Sequence, residues 1–238
     1  MGYSGLISQK QQEAGFVPLF DSVRQASQLQ NIFALQCCGW TGSTSSGTGT
    51  LTLGGYDETL FTGSLAWTPI YRELYYCVNM TSPAAPSSYA YDYNGEGEEE
   101  VNGIPDCNTI IDSGTSALVF VEPIYDTIVN SISNALSNAG GDGSCVRESD
   151  LSSLPCVKLE LDGGVTLSVP PSLYFQPVPG STCRQFLISK GSAPNIIGQA
   201  MMEAYYTVFD RGNKRVGFAP IAGCGSEQPD LTCSGHVP

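Results

Sequence analysis

The sequence contains a single histidine, His236, which lies two residues from its end. A histidine-activated serine or cysteine nucleophile would lack its base, and a histidine-based metal site would lack its ligands, so we expect neither a metal nor a cofactor. Basic residues are also few, since 10 Lys and Arg stand against 23 Asp and Glu, a net charge of −13. Because phosphate contacts require clustered lysines and arginines, this balance excludes nucleic-acid binding.

Long apolar runs and Cys-x-x-Cys pairs are absent as well. No stretch approaches the roughly 18 apolar residues of a membrane span, and whether an anchor follows Pro238 is left open. Nine cysteines without Cys-x-x-Cys spacing favour disulfides over zinc. With the glycosylation sequon Asn79-Met80-Thr81, they predict a glycoprotein of the secretory pathway, either extracellular or in an acidic lysosomal, vacuolar or endosomal lumen. Met1-Gly2-Tyr3 opens no secretory leader, so we expect the natural N-terminus to lie upstream.

The apolar patterns predict a mostly β protein with few helices. Apolar residues at four-residue spacing, from Ile124 to Leu136, predict a helix that begins near Pro123 and ends at Gly140. An amphipathic helix is predicted over 17–29 and a short one over 199–204. Loops are predicted over 1–15, 39–50 and 81–102. The predicted strands cover 32–38, 51–55, 63–70, 74–78, 118–121, 157–161, 165–169, 184–188, 205–210 and 216–220.

The strongest chemical signal is Asp112-Ser113-Gly114-Thr115, which follows the apolar pair Ile110-Ile111. Gly114 allows the backbone to fold closely around the carboxylate, and two hydroxyls stand beside it to orient its oxygens. A turn-capping aspartate is the alternative interpretation. Later in the chain, Asn195-Ile196-Ile197-Gly198 places another apolar pair before a glycine.

This combination resembles the C-terminal catalytic lobe of the pepsin-like aspartic proteases. In that family an Asp-Ser/Thr-Gly-Ser/Thr loop carries one catalytic aspartate, and an apolar-apolar-Gly strand crosses behind it. Further matches occur in the family's order, at Leu53–Asp57, Phe61–Leu65, Tyr205–Arg211 and Arg215–Ala219. The β-secretase subgroup is the most similar, on the evidence of Ser64–Glu73, the Asp-Ser-Gly-Thr spelling and Ala200–Glu203.

The resemblance implies a fold, a chemistry and a set of site residues. The fold would be pepsin-like, with residues 1–62 a remnant of the N-terminal lobe and the interlobe sheet and residues 63–238 the C-terminal lobe. Two aspartates would share one proton across a water that attacks a peptide or protein substrate. Asp112 would be one of them. The remaining assignments are loop support by Ser113, Gly114, Thr115 and Ser116, cleft positions at Tyr71 and Thr109, and a crossing strand at Ile196, Ile197 and Gly198.

The resemblance also implies three disulfides, Cys38–Cys224, Cys145–Cys183 and Cys107–Cys233. Cys37, Cys77 and Cys156 have no matching partners, and because nine is odd, at least one cysteine must stay free or pair between chains.

The second aspartate of the dyad is not found. Asp162-Gly163-Gly164 follows a predicted strand and is predicted to be a hairpin turn. We therefore expect a missing N-terminal lobe as the partner, and poor solubility of the chain alone, because the two lobes share a sheet whose edge would be exposed. One alternative is a non-catalytic binding or inhibitor module. Another is a homodimer in which two copies of Asp112 meet, although residues 1–62 would obstruct its docking face.

Overall fold

A computed structural model describes residues 17–39, 47–71, 75–83, 107–141, 143–192, 194–225, 228–233 and 235–237. As expected, the chain is mostly β, with few helices. The helices are α1 (Leu19–Ser27), α2 (Glu122–Asn138), α3 (Pro171–Tyr174) and α4 (Gln199–Met202). The strands are β1 (Ile32–Cys38), β2 (Thr48–Leu53), β3 (Ala66–Pro69), β4 (Cys77–Val78), β5 (Met80–Ser82), β6 (Thr109–Ile111), β7 (Leu118–Phe120), β8 (Cys156–Leu161), β9 (Val165–Val169), β10 (Phe175–Pro177), β11 (Arg184–Phe186), β12 (Ile188–Lys190), β13 (Asn195–Ile197), β14 (Tyr205–Asp210), β15 (Arg215–Pro220) and β16 (His236–Val237).

The first sheet is antiparallel and has the strand order β2-β1-β14-β15-β3. Every residue of β14, which lies at the centre of this sheet, is buried, including the polar Thr207 and Asp210. At the outer edge, β2 is largely exposed and leaves Leu51 and Leu53 at 49% and 36% exposure. This sheet combines β1 and β2, which precede residue 62, with β3, β14 and β15, which follow residue 63. The predicted lobe boundary between residues 62 and 63 stays a prediction.

The second sheet carries the Asp112 loop and is mixed, with the order β12-β7-β13-β6-β4. Strands β6 and β7 follow each other in the chain, yet β13 lies between them, parallel to β6 and antiparallel to β7. A third sheet contains β16, β8 and β5, with β9 paired to β8. The β8–β9 hairpin turns at Asp162-Gly163-Gly164, as predicted.

The main core packs helix α2 against these sheets. Ile124, Ile128, Ile132 and Leu136 are all buried, which confirms the helical spacing. Helix α1 joins the same core through Phe20, whose ring packs edge-on against that of Phe33. Among the described residues, no helix is both long and apolar enough to cross a membrane.

Several element boundaries differ from the prediction for local reasons. Helix α1 begins at Leu19 because Pro18 occupies its N-cap with extended backbone, and it ends before Gln28, which adopts a left-handed conformation. The predicted strand 184–188 is divided at Leu187. The N–H of Leu187 donates to the carbonyl of Tyr174 in α3, whereas its carbonyl accepts the N–H of Leu118 in β7. Strand β2 extends into the predicted loop 39–50, and β5 into the predicted loop 81–102.

Further predictions fall partly or wholly outside the described residues. The loop over 1–15 lies outside them, as do residues 40–46 and 84–102 of the two other predicted loops. The predicted strands 63–70 and 74–78 are reduced to β3 and β4, with residues 72–74 outside the described part. Helix α3 and strands β10 and β16 were not predicted; each is four residues or shorter, which is too short to show a clear period.

The disulfides agree with the resemblance in two cases, Cys38–Cys224 and Cys145–Cys183. The implied pair Cys107–Cys233 is wrong. Neighbouring strands β4 and β6 bring Cys77 to Cys107, with 5.8 Å between their Cα atoms. Strand β16 lies along β8, and this pairing brings Cys233 to Cys156. Cys37 is the free cysteine and is half-buried.

Candidate active site

Asp112 follows β6 directly and is held by its own loop. One carboxylate oxygen, Oδ1, accepts the backbone N–H of Gly114 at 2.8 Å, and Oδ2 accepts the hydroxyl of Thr115 at 2.7 Å. A Cβ at Gly114 would stand 3.0 Å from Oδ1, which explains the glycine here. Both oxygens therefore have a donor from the loop, and the side chain is fixed in orientation while it remains partly exposed.

The crossing strand β13 anchors this loop from behind. The N–H of Asp112 donates to the carbonyl of Ile197 at 3.1 Å, and the N–H of Gln199 donates to the carbonyl of Thr115 at 2.7 Å. Gly198 lies between these bonds, where an added Cβ would stand 2.2 Å from the Ala117 oxygen and 2.3 Å from the Thr115 oxygen. Only glycine allows β13 to approach the loop this closely. The predicted Ile196-Ile197-Gly198 segment is thus in contact with the loop it was expected to support.

The two serines of the loop lie at its exposed side. Ser113 and Ser116 are exposed, whereas Thr115 is half-buried against Asp112. The carbonyl of Ser116 accepts the N–H of Ala200 at 3.1 Å, so the loop also holds the start of α4. A carboxylate with fixed oxygens, a glycine turn and exposed hydroxyls beside it can bind a water and a polar backbone group.

Comparison with known proteins agrees with this arrangement. A family model described as "Eukaryotic aspartyl protease" matches residues 1–221. The chain belongs to the eukaryotic aspartyl protease family. It is also similar to a protein named beta-secretase from Strongylocentrotus purpuratus, with 29% identity over 93% of this chain and 47% of that relative. The chain thus spans about half the length of the curated relative that it matches.

A buried amide, whose role was not predicted from the sequence, ties the crossing strands together. Asn195 is 1% exposed; its Oδ1 accepts the N–H of Val121 at 3.0 Å, and its Nδ2 donates to the carbonyl of Asn108 at 3.0 Å. These bonds connect the start of β13 to the end of β7 and the start of β6. A polar residue that opens an otherwise apolar strand was the available signal, because a buried amide requires partners.

The two predicted cleft residues differ in their surroundings. Thr109 is fully buried in β6, where its hydroxyl donates to Asn108 at 2.8 Å, so its prediction as a cleft residue is wrong. Tyr71 donates its hydroxyl to Asp162 at 2.5 Å, and this bond raises the pKa of Tyr71. That contact fixes Tyr71 to the β8–β9 hairpin, and its role in a cleft stays a prediction.

Two other Asp-x-Gly sequences serve hairpins rather than the Asp112 site. Asp162 opens the turn between β8 and β9. Asp210-Arg211-Gly212 has the same spacing; Asp210 is buried, and its carboxylate accepts bonds from Asn213 and from Arg215 in the β14–β15 turn. Within the described part of the chain, no group of three His, Cys, Asp or Glu residues could hold a metal ion.

Proposed function

We propose that this chain supplies Asp112 as the C-terminal-lobe carboxylate of an aspartic endopeptidase that hydrolyses peptide bonds. The main support for the proposal is that both carboxylate oxygens of Asp112 accept hydrogen bonds from donors in its own loop. Strand β13 in turn holds this loop in position through backbone hydrogen bonds. A carboxylate fixed in this way can meet a water and a second carboxylate without further rearrangement.

In the proposed mechanism, one carboxylate of the dyad removes a proton from the bound water as that water attacks the peptide carbonyl. The other carboxyl is protonated and donates to the carbonyl oxygen, so that a gem-diol forms without a covalent enzyme intermediate. Collapse of the gem-diol breaks the C–N bond, and the amine leaves with a proton from the dyad. Ser113 and Thr115 orient the Asp112 side of this site.

The second carboxylate comes, in this proposal, from an N-terminal lobe that pairs with the first sheet. Strand β2 is the edge of that sheet, and Leu51 and Leu53 are exposed on it. An exposed apolar edge strand is a ready surface for another strand. Residues 63–238 form the C-terminal lobe in this scheme, and residues 1–62 contribute the last part of the N-terminal lobe and of the shared sheet.

The proposed location is the secretory pathway, outside the cell or in an acidic lumen. Four disulfides support this location, because such bonds persist in oxidising compartments. A shared proton between two carboxylates also operates best at acidic pH, where the singly protonated pair is populated.

The test is a chimera in which the N-terminal half of the sea urchin relative is joined to this chain. We expect acid-pH peptide cleavage that a statine peptide inhibits and that Asp112→Asn lowers by at least about 10²-fold, the scale of a lost acid–base group. Asp126→Asn is the matched control, since Asp126 is exposed on α2. Activity that survives Asp112→Asn would contradict the assignment. Peptide binding that is independent of Asp112 and occurs without cleavage would support a binding or inhibitor module instead.

A further inference from the structure

The glycosylation sequon is a feature that the proposed protease chemistry does not use. Asn79-Met80-Thr81 is the sole Asn-x-Ser/Thr sequence among the 238 residues, and its middle residue is not proline. It spans the point where the chain leaves β4 in the second sheet and enters β5 in the third. Such tripeptides also occur by chance, so the side-chain environment decides whether the site can carry a glycan.

The two sequon side chains reach solvent, whereas the residue between them is buried. Met80 is 2% exposed and packs in the main core. A β-bulge lies between Met80 and Ser82 in the pairing with β8, so the exposure of each side chain, and not strand alternation, shows which way it points. Thr81 is exposed, and Asn79 is partly exposed. Asn108 holds Met80 in place, because its side chain bonds to both the N–H and the carbonyl of Met80.

The surroundings of Asn79 leave room for a covalent bond at its amide. Its side chain lies near the Tyr71 hydroxyl, where it opposes the rise in the pKa of Tyr71 that Asp162 causes. An amide nitrogen carries two hydrogens, so one such neighbour leaves Nδ2 able to form a new bond. The adjacent outward side chains on β8 are Lys158 and Glu160, which are 40% and 42% exposed and bond to each other. A sugar on this face would cover polar groups that water already reaches.

We propose that Asn79 carries an N-linked glycan, which projects into solvent at the start of edge strand β5. The chemical step is transfer of an oligosaccharide from a lipid-diphosphate donor. The anomeric C–O bond to the diphosphate breaks, a C–N bond forms to Asn79 Nδ2, and the Nδ2 proton is released with the lipid diphosphate as leaving group. Because β5 ends its sheet, the glycan would also prevent other chains from pairing with that edge.

The test expresses the full chain with a cleavable leader in a eukaryotic secretory host. We expect peptide:N-glycosidase to raise the electrophoretic mobility of the chain by one step. When the digestion is carried out in heavy-oxygen water, the Asn79 amide should become a carboxylate that carries the heavy oxygen. Thr81→Ala removes the hydroxyl that the sequon requires and leaves Asn79 itself unchanged, so it should abolish the step. Thr81→Ser should retain it. Because attachment precedes folding, the step is read from total cell protein and does not depend on the variant's stability.

A second readout tests the structural part of the proposal. Endoglycosidase H leaves one sugar on Asn79 and adds no charge beside Asp162, so the melting temperature should be the same before and after trimming. A wild-type chain in the host's lumen without a mobility step would overturn the proposal. A step that Thr81→Ala does not remove would overturn the assignment to Asn79. A large change in melting temperature on trimming would contradict an outward, solvated glycan.

Discussion

Gly198→Ala should separate the Asp112 loop from the strand that supports it. The added methyl carbon would meet two backbone oxygens at 2.2 and 2.3 Å, whereas an ordinary contact begins at 3.4 Å. Gly198 has extended backbone, with φ of −96°, so the strain comes from these contacts and not from its dihedral angles. Neither oxygen belongs to a flexible side chain, and β13 would have to move by about 1 Å relative to the loop.

The expected magnitude follows from two effects. Overpacking a close-packed site costs about 1–3 kcal/mol, and a weakened Gln199–Thr115 backbone bond adds about 1 kcal/mol. We therefore expect the free energy of unfolding to fall by roughly 3 kcal/mol, which for a chain of this size lowers the melting temperature by about 6–12 °C. In the active chimera, a displacement of about 1 Å at Asp112 should lower kcat by about 10²-fold.

Urea unfolding with intact disulfides measures the stability effect, and an unchanged m-value would show that the unfolded state is unaltered. Gly55→Ala is the matched control, because nothing lies within 4 Å of a Cβ at Gly55 and its φ is not positive. We expect the control to stay within about 0.5 kcal/mol of the parent. If Gly198→Ala behaved like the control in both stability and kcat, the argument that glycine is required for this crossing would be refuted.

Two other perturbations test the effect of burial on an ion pair and on a thiol. Asp21→Asn should lower the unfolding free energy by about 3 kcal/mol, because it leaves Arg211 buried beside a neutral amide. Glu160→Gln is the control in an exposed pair and should change the unfolding free energy by less than about 1 kcal/mol. Equal losses of the two variants in urea unfolding would contradict the argument from burial. Burial raises the pKa of the Cys37 thiol to about 11, so folded protein should resist alkylation. Since the unfolded thiol ionises near 9, stability should fall between pH 9 and about 11, and Cys37→Ser should lack that component. Rapid alkylation of the folded protein, or an identical pH profile in Cys37→Ser, would refute this.

The parts of the fold that depend on local patterns could be predicted from the sequence. Helix α2 is an example, since four apolar residues at helical spacing required one buried face and all four are buried. Strands β1, β9 and β14 have the predicted bounds, because their apolar runs end at turn residues. The Asp112 loop could also be located, because a carboxylate, a glycine and two hydroxyls occur together after an apolar strand.

The pairing of distant segments could not be predicted in the same way. The family resemblance implies Cys107–Cys233, yet strand β4 places Cys77 beside Cys107, and this pairing depends on strand contacts between distant parts of the chain. The burial of Thr109 has a similar origin. The resemblance implied a cleft position, but β6 is an inner strand of its sheet and the Thr109 side chain is fully buried in the fold.

The Asp112 site depends on local hydrogen bonds and on contacts with a distant strand, so substitutions can disrupt its activity in two different ways. The donors to the carboxylate are local, within three residues of Asp112, so they would persist in any chain that forms the turn. The position of the turn is not local, because it rests on Ile197, Gly198 and Gln199 of the crossing segment. A substitution in β13 can therefore leave the carboxylate with its hydrogen bonds and still misplace it. Loss of kcat with retained structure in the loop would be the mark of such a change, whereas Thr115→Val should disturb the carboxylate without moving β13.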